Sequence, residues 1–188
     1  MARLASGNPH KLAELRRALP GWDIELADAV DYPPEDGATY EANARGKALH
    51  GRTGCPAEAW VIGEDSGIEA DGLGGAPGIA SARWADDGVA RLLEALAGIA
   101  DRRARYVCVM VALGPDGEQV VVEETLEGTV SGPPRGAEGF GYDPIFVPNG
   151  EERTVAELGD DWKARNSHRA RAAAALAVAL RSEEHTSE

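Results

Sequence analysis

The sequence predicts an α/β protein, in which apolar strands alternate with amphipathic helices. The chain has 188 residues, of which 43% are hydrophobic, so one domain or two small lobes around a shared cleft can bury a sizeable core. Apolar residues recur with helical spacing in some segments and form short continuous runs in others. Glycine- and proline-rich turns separate these segments.

The first third of the chain predicts two strand–helix pairs. A strand at 3–6 leads into a helix after Asn8-Pro9, because Asn is a strong N-cap and Pro is favoured at the first helical position. Leu12, Leu15 and Leu19 form the apolar stripe of this helix, which Pro20-Gly21 ends. We then expect a strand at 22–26, a turn-rich loop at 31–38, a helix from Thr39 to about Arg52, and a buried strand at 59–63.

The rest of the chain predicts a hairpin between helical segments. Two long strands at 105–113 and 119–130 are joined by Gly114-Pro115-Asp116-Gly117, a turn sequence that favours a hairpin. We further expect a flexible turn at 72–78, a helix at 89–96, a long loop at 132–150, a short helix at 154–158 and a last helix from Ser167 to Leu180.

The last eight residues, 181–188, match the translation of a common sequencing-adapter oligonucleotide. We therefore expect them to be a non-native tail, either frayed or extending the last helix, and residues 1–180 to form the functional domain.

Charge and composition exclude several classes of function. The chain carries 32 acidic and 19 basic residues, a formal net charge of −13, which argues against binding nucleic acid by its phosphates. No run of about 18 apolar residues predicts a membrane span, and no basic, apolar leader precedes the first motif. Two cysteines, Cys55 and Cys108, form neither a disulfide framework nor a zinc signature. We therefore expect a cytoplasmic protein that binds neither membrane nor nucleic acid.

Lysine is scarce, and its three positions are informative. Of 19 basic residues, 16 are arginine, and the lysines are Lys11, Lys47 and Lys163. A lysine retained in so arginine-rich a chain is a candidate for a role that needs a compact charge on a flexible stem. The alternative is chance survival on a solvated surface.

The first lysine follows the turn Ser6-Gly7-Asn8-Pro9-His10, where a strand feeds a helix N-terminus. Free backbone N–H groups and the helix dipole favour an anion there, although an ordinary capped helix explains the turn equally well. A lysine in the first turn is mildly unfavourable unless something anionic lies beside it.

Four acidic residues, Glu35, Glu41, Glu64 and Asp65, form a second candidate group. Adjacent acids after an apolar strand repel each other unless a cation neutralises them, and oxygen ligands with substrate phosphates suit magnesium. A polar turn at 64–67 is the simpler alternative. Glu41 also fits as a first-turn acid that pairs with Arg45.

Two further groups complete the inventory. Both phenylalanines of the chain, Phe140 and Phe146, lie in or beside a glycine-rich loop, where Phe140 could stack on a base or simply anchor the loop. Lys163, His168 and Arg169 cluster near the start of the last helix, either as an anion-binding corner or as a solvated helix start. Groups that could donate hydrogen bonds to phosphate, acids that could hold a metal ion and an aromatic ring that could stack on a base together suggest that the ligand is a nucleoside triphosphate.

Seven ordered motifs resemble the inosine/xanthosine triphosphate pyrophosphatase family. They are Ser-Gly-Asn-x-x-Lys-x-x-Glu at 6–14, Tyr-Glu-x-Asn-Ala-x-x-Lys-Ala at 40–48, Glu-Asp-Ser-Gly-Ile at 64–68, Gly-Ala-Pro-Gly-Ile-x-Ser-Ala-Arg at 75–83, Arg-x-Ala-Arg-Tyr-x-Cys at 102–108, Gly-Phe-Gly-Tyr-Asp-Pro-Ile-Phe at 139–146, and Lys-x-x-x-Ser-His-Arg at 163–169. Together they span roughly residues 3–180.

The resemblance implies an elongated mixed β-sheet in two lobes, with flanking helices and a central nucleotide cleft, in a homodimer. It implies magnesium-dependent hydrolysis of the α–β phosphate bond of ITP, dITP and XTP. Glu35 and Asp65 would hold Mg²⁺, Asp65 also being the proton acceptor. The implied substrate-binding residues are Ser6, Gly7, Asn8, Pro9, His10, Lys11, Lys47 and Ser66 for the triphosphate side, and Phe140, Gly141, Tyr142, Asp143, Lys163, His168 and Arg169 for the base.

The chain departs from the family pattern at Glu64, where Asp is common, and at Ser6, where Thr is frequent. A related pyrophosphatase for modified pyrimidine nucleotides, dTTP or UTP is an alternative that Ser167-His168-Arg169 argues against. A nucleotide sensor without turnover is a second alternative, and a structural protein leaves the placement of the lysines unexplained.

Overall fold

The computed structural model describes residues 1–29 and 31–186, with backbone alone for 182–186. Its strands are β1 (Ala2–Ala5), β2 (Ile24–Leu26), β3 (Trp60–Ala70), β4 (Arg103–Leu113), β5 (Gln119–Val130) and β6 (Phe146–Pro148). Its helices are α1 (Pro9–Ala18), α2 (Tyr40–Arg52), α3 (Gly88–Ala95), α4 (Val155–Leu158), α5 (Asp160–Asn166) and α6 (His168–Thr186). Among these residues, no helix is both long and apolar enough to cross a membrane.

The six strands form one mixed sheet in the order β2-β1-β3-β4-β5-β6. Strand β1 pairs in parallel with both β2 and β3, so that Ala2 lies opposite Ile24 on one side and Trp60 on the other. Strand β6 pairs antiparallel with the end of β5. Parallel strands joined by helices and flanked by an antiparallel pair make the fold α/β, as the sequence predicts.

The chain divides into two compact units. Unit 1 contains Met1–Asp65, Cys108–Glu124 and the segment from Arg169, and unit 2 contains Ser66–Val107 and Thr125–His168. The core of unit 1 is built by apolar side chains from the sheet, α1 and α6, including Leu4, Leu15, Ile24, Ile62, Met110 and Leu176. A separate core in unit 2 includes Ile68, Leu92, Leu96, Tyr106, Ile145 and Phe146.

Capping residues begin the helices where the sequence predicts. The Asn8 side chain accepts a hydrogen bond from the backbone N–H of His10 (2.9 Å), and Thr39 accepts one from Ala42 (3.1 Å). Leu15 and Leu19 of the predicted stripe are buried, with Leu12 packed against the same core. The predicted hairpin is closed by a bond from Gly114 N–H to the Glu118 carbonyl (2.8 Å).

Two predictions about the elements are wrong, and one helix was not predicted. The strand expected at 59–63 continues to Ala70, so the sequence from Glu64 to Gly67 lies inside β3 and is not a turn after it. The expected loop at 132–150 contains β6, whose Phe146 is fully buried. Helix α5 was not predicted, because its seven residues include one large apolar side chain, Trp162. Helix α6 continues past Leu180 to Thr186, which is one of the two outcomes expected for the tail.

Helix α2 lies against β3 at a glycine. A Cβ atom at Gly63 would stand 1.9 Å from the carbonyl oxygen of Ala44 and 2.7 Å from the backbone N of Ala48. Such distances are possible only without a side chain, so Gly63 sets the separation of this helix from the strand.

Gly63→Ala is expected to destabilise the protein by about 3 kcal/mol, because the added methyl group meets helix backbone, which cannot rotate away. Gly46→Ala is the matched control, since a Cβ there meets nothing within 4 Å and alanine favours a helix by roughly 1 kcal/mol. Urea unfolding of both variants measures the difference. Equal stabilities would show that α2 does not depend on this close approach.

Candidate active site

The turn between β1 and α1 delivers Lys11 to a buried carboxylate in unit 1. Ser6 accepts a hydrogen bond from Asn8 N–H (3.0 Å), and the Asn8 cap then fixes the first helical turn. The ammonium of Lys11 lies 2.5 Å from Glu64 Oε2 in β3. The anion that a first-turn lysine requires is therefore present within the protein itself.

Arg169 binds the other oxygen of the same carboxylate. Its Nε and Nη2 donate to Glu64 Oε1 at 3.2 and 3.0 Å, and its Nη1 donates to Glu14 of α1. The thiol of Cys108 in β4 lies 3.5 Å from the same Oε1. Glu64 and Arg169 are 1% and 2% exposed, so this is a buried ion pair with several partners.

These cations decide the charge of Glu64. Burial alone would raise the pKa of the carboxyl group, but Arg169, Lys11 and Lys47 together hold that pKa well below its usual range. Burial likewise disfavours the charged form of Arg169, yet Glu64 and Glu14 raise the pKa of its guanidinium. The surroundings of Glu64 thus favour its ionised form, and the neighbouring cations balance its negative charge.

Helix α2 supplies a second set of contacts to the next residue of β3. Lys47 Nζ lies 3.1 Å from Asp65 Oδ1, donates to the Glu64 carbonyl at 3.0 Å, and forms an ion pair with Glu35. Asn43 Nδ2 donates to Asp65 Oδ2 (3.0 Å), while Asn43 Oδ1 accepts from Gly37 N–H (2.9 Å). The three acceptors around the Lys47 ammonium thus come from β3 and from the loop before α2.

The two charges of this pair respond differently to their surroundings. Burial raises the pKa of Asp65, and the opposing effects of Lys47 and Asn43 do not cancel it. Burial opposes the charge of Lys47, but Asp65, Glu64 and Glu35 raise its pKa above the ordinary value. Asp65 is therefore more basic than an ordinary aspartate, beside a lysine that stays protonated.

Glu35 and Asp65 lie close enough to share a cation, because both contact the single Lys47 ammonium. Within residues 1–29 and 31–181, whose side chains the structure describes, no three His, Cys, Asp or Glu residues are grouped closely enough to hold a metal ion. Two carboxylates with open positions suit an ion that also takes substrate phosphates as ligands.

Unit 2 contains a second polar cluster, centred on Asp143. Its Oδ2 accepts from Lys163 Nζ at 2.7 Å and from Phe140 N–H at 2.9 Å, and its Oδ1 accepts from the Tyr106 hydroxyl at 3.1 Å. Gly139 adopts φ +77°, and a Cβ there would stand 2.2 Å from Asp143 Oδ2. Only glycine lets the loop close over this carboxylate.

Aromatic rings border this cluster. Lys163 Nζ lies 4.7 Å from the centre of the Phe140 ring, a cation–π contact. The ring of His168 stacks on Tyr106, with centroids 4.5 Å apart and planes inclined by 8°. The Tyr142 hydroxyl donates to the Ser81 carbonyl (2.8 Å), so this side chain is tied to the unit's own core.

The residues predicted from sequence thus fall into two groups. Unit 1 contains the segment 6–11, Glu35, Lys47, Asp65 and Arg169, and unit 2 contains Ser66, the segment 140–143, Lys163 and His168. Arg169, predicted with the base-binding residues, directs its guanidinium to Glu64 and Glu14 within unit 1. His168 and Arg169 are buried, so the interpretation as a solvated helix start is wrong.

Sequence reasoning missed Glu14, Asn43 and Tyr106. Each lies inside one of the seven motifs, but the sequence indicated roles for other residues and none for these three. Glu14 follows Lys11 by three residues on α1, a spacing that places both on one helical face. That spacing could have identified it.

The fold and these clusters define a class of protein. In this mixed α/β fold Lys47 and Lys163 are buried and Lys11 is partly buried, each against a carboxylate, an arrangement that favours an enzyme for a small charged substrate over a purely structural protein.

The chain belongs to the Ham1 family, whose sequence model matches residues 2–179. It is 46% identical over 176 residues to the dITP/XTP pyrophosphatase of Gloeobacter violaceus, covering 90% of this chain and 88% of that protein. It is 42% identical over 183 residues to the dITP/XTP pyrophosphatase of Bdellovibrio bacteriovorus, covering 90% and 92%. The solved structure of the Staphylococcus aureus Ham1 protein matches with a TM-score of 0.81 and 35% identity, covering 97% and 98%.

Glu64→Gln is expected to destabilise the protein by about 3 kcal/mol, because it removes the carboxylate that Lys11 contacts and leaves the buried Arg169 paired with Glu14 alone. Glu41→Gln is the control, since it removes an exposed α2 pair with Arg45 and is expected to cost under about 1 kcal/mol. Urea unfolding at pH 7 measures both. A Glu64 variant as stable as the control would contradict the account of the buried ion pair.

Proposed function

We propose that this protein hydrolyses non-canonical purine nucleoside triphosphates, namely dITP, XTP and ITP, at the α–β phosphate bond, and releases a nucleoside monophosphate and pyrophosphate. The observation that carries the proposal is Asp65, a carboxylate of raised pKa held between Lys47 and Asn43. The dITP/XTP pyrophosphatases among the relatives support the choice of substrate.

The phosphates bind to unit 1 in this proposal. Lys11 and Lys47 supply ammonium groups, and the turn from Ser6 to His10 supplies backbone at a helix N-terminus. Both ammonium groups already contact carboxylates, so their side chains are positioned before substrate arrives. These charges offset the negative charge that develops on the departing pyrophosphate.

Glu35 and Asp65 are the residues proposed to hold Mg²⁺. Magnesium bound there with substrate phosphates would neutralise phosphate charge and help to orient the attacking water. The donor set fits this ion, because it consists of hard carboxylate oxygens and leaves positions for phosphate.

Asp65 is the proposed proton acceptor for the water. Burial raises the pKa of Asp65, which makes its carboxylate a better proton acceptor, and a bound Mg²⁺ would oppose that shift. Asn43 and Lys47 bind different oxygens of the carboxylate, which fixes its orientation.

The base binds to unit 2 in this proposal, with Phe140 as the stacking surface. Lys163 and His168 would donate hydrogen bonds to the 6-oxo group of hypoxanthine or xanthine. Adenine carries an amino group at that position, and this donor would face the protein donors, so that both would remain unpaired. Gly141, Tyr142, Asp143, Ser66 and Arg169 remain predicted substrate-binding residues. The homodimer implied by the family resemblance is part of the same proposal.

Product analysis tests the function directly. We expect the protein with Mg²⁺ to convert dITP and XTP to monophosphate and pyrophosphate, and EDTA to abolish turnover. Ion-exchange chromatography separates pyrophosphate from orthophosphate. Stepwise orthophosphate release would refute cleavage at the α–β bond, preference for dTTP or UTP would favour a pyrimidine enzyme, and binding without products would favour a sensor.

Asp65→Asn is expected to lower kcat by about 10²- to 10⁴-fold while dITP still binds, because the amide cannot accept the proton but keeps the shape of the side chain. Steady-state kinetics measure the rate, and calorimetry measures binding. Asp116→Asn in the β4–β5 hairpin is the control, expected to retain full activity because Asp116 is exposed. A rate near that of the unaltered protein would refute the assignment of Asp65.

A further inference from the structure

Tyr106 lies in β4 and contacts both Asp143 and His168 in unit 2. Its ring stacks on His168 on one side, and it packs against Phe146 with a centroid separation of 4.6 Å and an angle of 54°. It is buried within the core that also contains Ile145 and Tyr142. The orientation of the His168 ring therefore depends on a side chain fixed by the sheet.

The hydroxyl group of the same residue holds Asp143. It donates to Oδ1 at 3.1 Å, whereas Lys163 and Phe140 N–H both donate to Oδ2. A carboxylate bound through one oxygen can turn about its own axis, and a donor on the second oxygen opposes that rotation. Tyr106 thus contacts both polar groups that the proposed base site requires to be in place.

We propose that Tyr106 is a positioning residue for base recognition, which acts by fixing Asp143 through its hydroxyl and His168 through its ring. This inference rests on the proposed function, because it assumes that Lys163 and His168 recognise the purine. Asp143 holds the Lys163 ammonium at 2.7 Å, so a carboxylate that rotates displaces the donor with it.

If Tyr106 only fills space in the core of unit 2, a different result is expected from its substitution. Phenylalanine fills the same volume, keeps the stack on His168 and the contact with Phe146, and lacks only the hydroxyl. If Tyr106 merely packs the core, Tyr106→Phe leaves substrate affinity unchanged. If it positions Asp143, the variant binds purine substrate less well, although the catalytic Asp65 in unit 1 is untouched.

The expected result for Tyr106→Phe is a KM for dITP raised about 3- to 10-fold with kcat within about twofold, because one hydrogen bond that orders the recognition groups is lost. The preference for dITP over dATP in kcat/KM is expected to fall. Ser131→Ala is the matched control, since it also deletes one hydroxyl hydrogen bond in unit 2, to the Ile145 carbonyl at 3.1 Å. Its KM is expected to stay unchanged.

A double-mutant cycle with Asp143→Asn separates positioning from packing. If Tyr106 acts through Asp143, Tyr106→Phe raises KM much less in the Asp143→Asn background than in the unaltered protein. Additive effects, an unchanged KM, or a fall in thermal stability without a change in KM would overturn the inference. An unaltered protein that releases no pyrophosphate from dITP would refute the proposed function first, whereas an active protein with an unaffected Tyr106 variant refutes only this inference.

Discussion

The neutralisation of one buried carboxylate organises the architecture of unit 1. Glu64 lies inside β3 with almost no exposure, and an isolated charge there would cost several kcal/mol. Lys11 from α1 and Arg169 from α6 neutralise this carboxylate, and Glu14 forms a second ion pair with Arg169. Both helices are therefore tied to the same point of the sheet by charge as well as by the apolar core. The extra methylene of Glu64, compared with aspartate, lengthens the arm that reaches these cations.

The next residue of the same strand has the opposite role, because successive side chains of a strand point to opposite faces. Gly63 and Asp65 share the face that α2 covers, and the missing side chain of Gly63 lets α2 approach closely enough for Lys47 and Asn43 to reach Asp65. The surroundings lower the pKa of Glu64 and raise that of Asp65. Two neighbouring acids are thereby divided into a fixed structural charge and a group suited to accept a proton.

Local signals predicted the elements well, and long-range contacts account for the errors. The Asn8 and Thr39 caps and the hairpin at 114–117 depend on neighbouring residues alone, so the sequence was sufficient to place them. The full length of β3 was not predictable in this way, because Glu64 and Asp65 are tolerated in the strand only through cations far away in sequence. The direction of the Arg169 side chain was missed for the same reason, since its partner Glu64 is 105 residues away.

The positions of the three lysines indicate the polar clusters of the structure more directly than net charge does. Each of the three lysines is held against a carboxylate, Lys11 by Glu64, Lys47 by Asp65 and Lys163 by Asp143, and none has a side chain more than 14% exposed. By contrast, Arg91 and Arg103 form ion pairs on the surface. In the proposed function, the flexible stem of each lysine lets its ammonium group exchange the carboxylate for a phosphate oxygen or a base oxygen. The planar guanidinium of Arg169 suits its paired contacts with Glu64, to which both Nε and Nη2 donate.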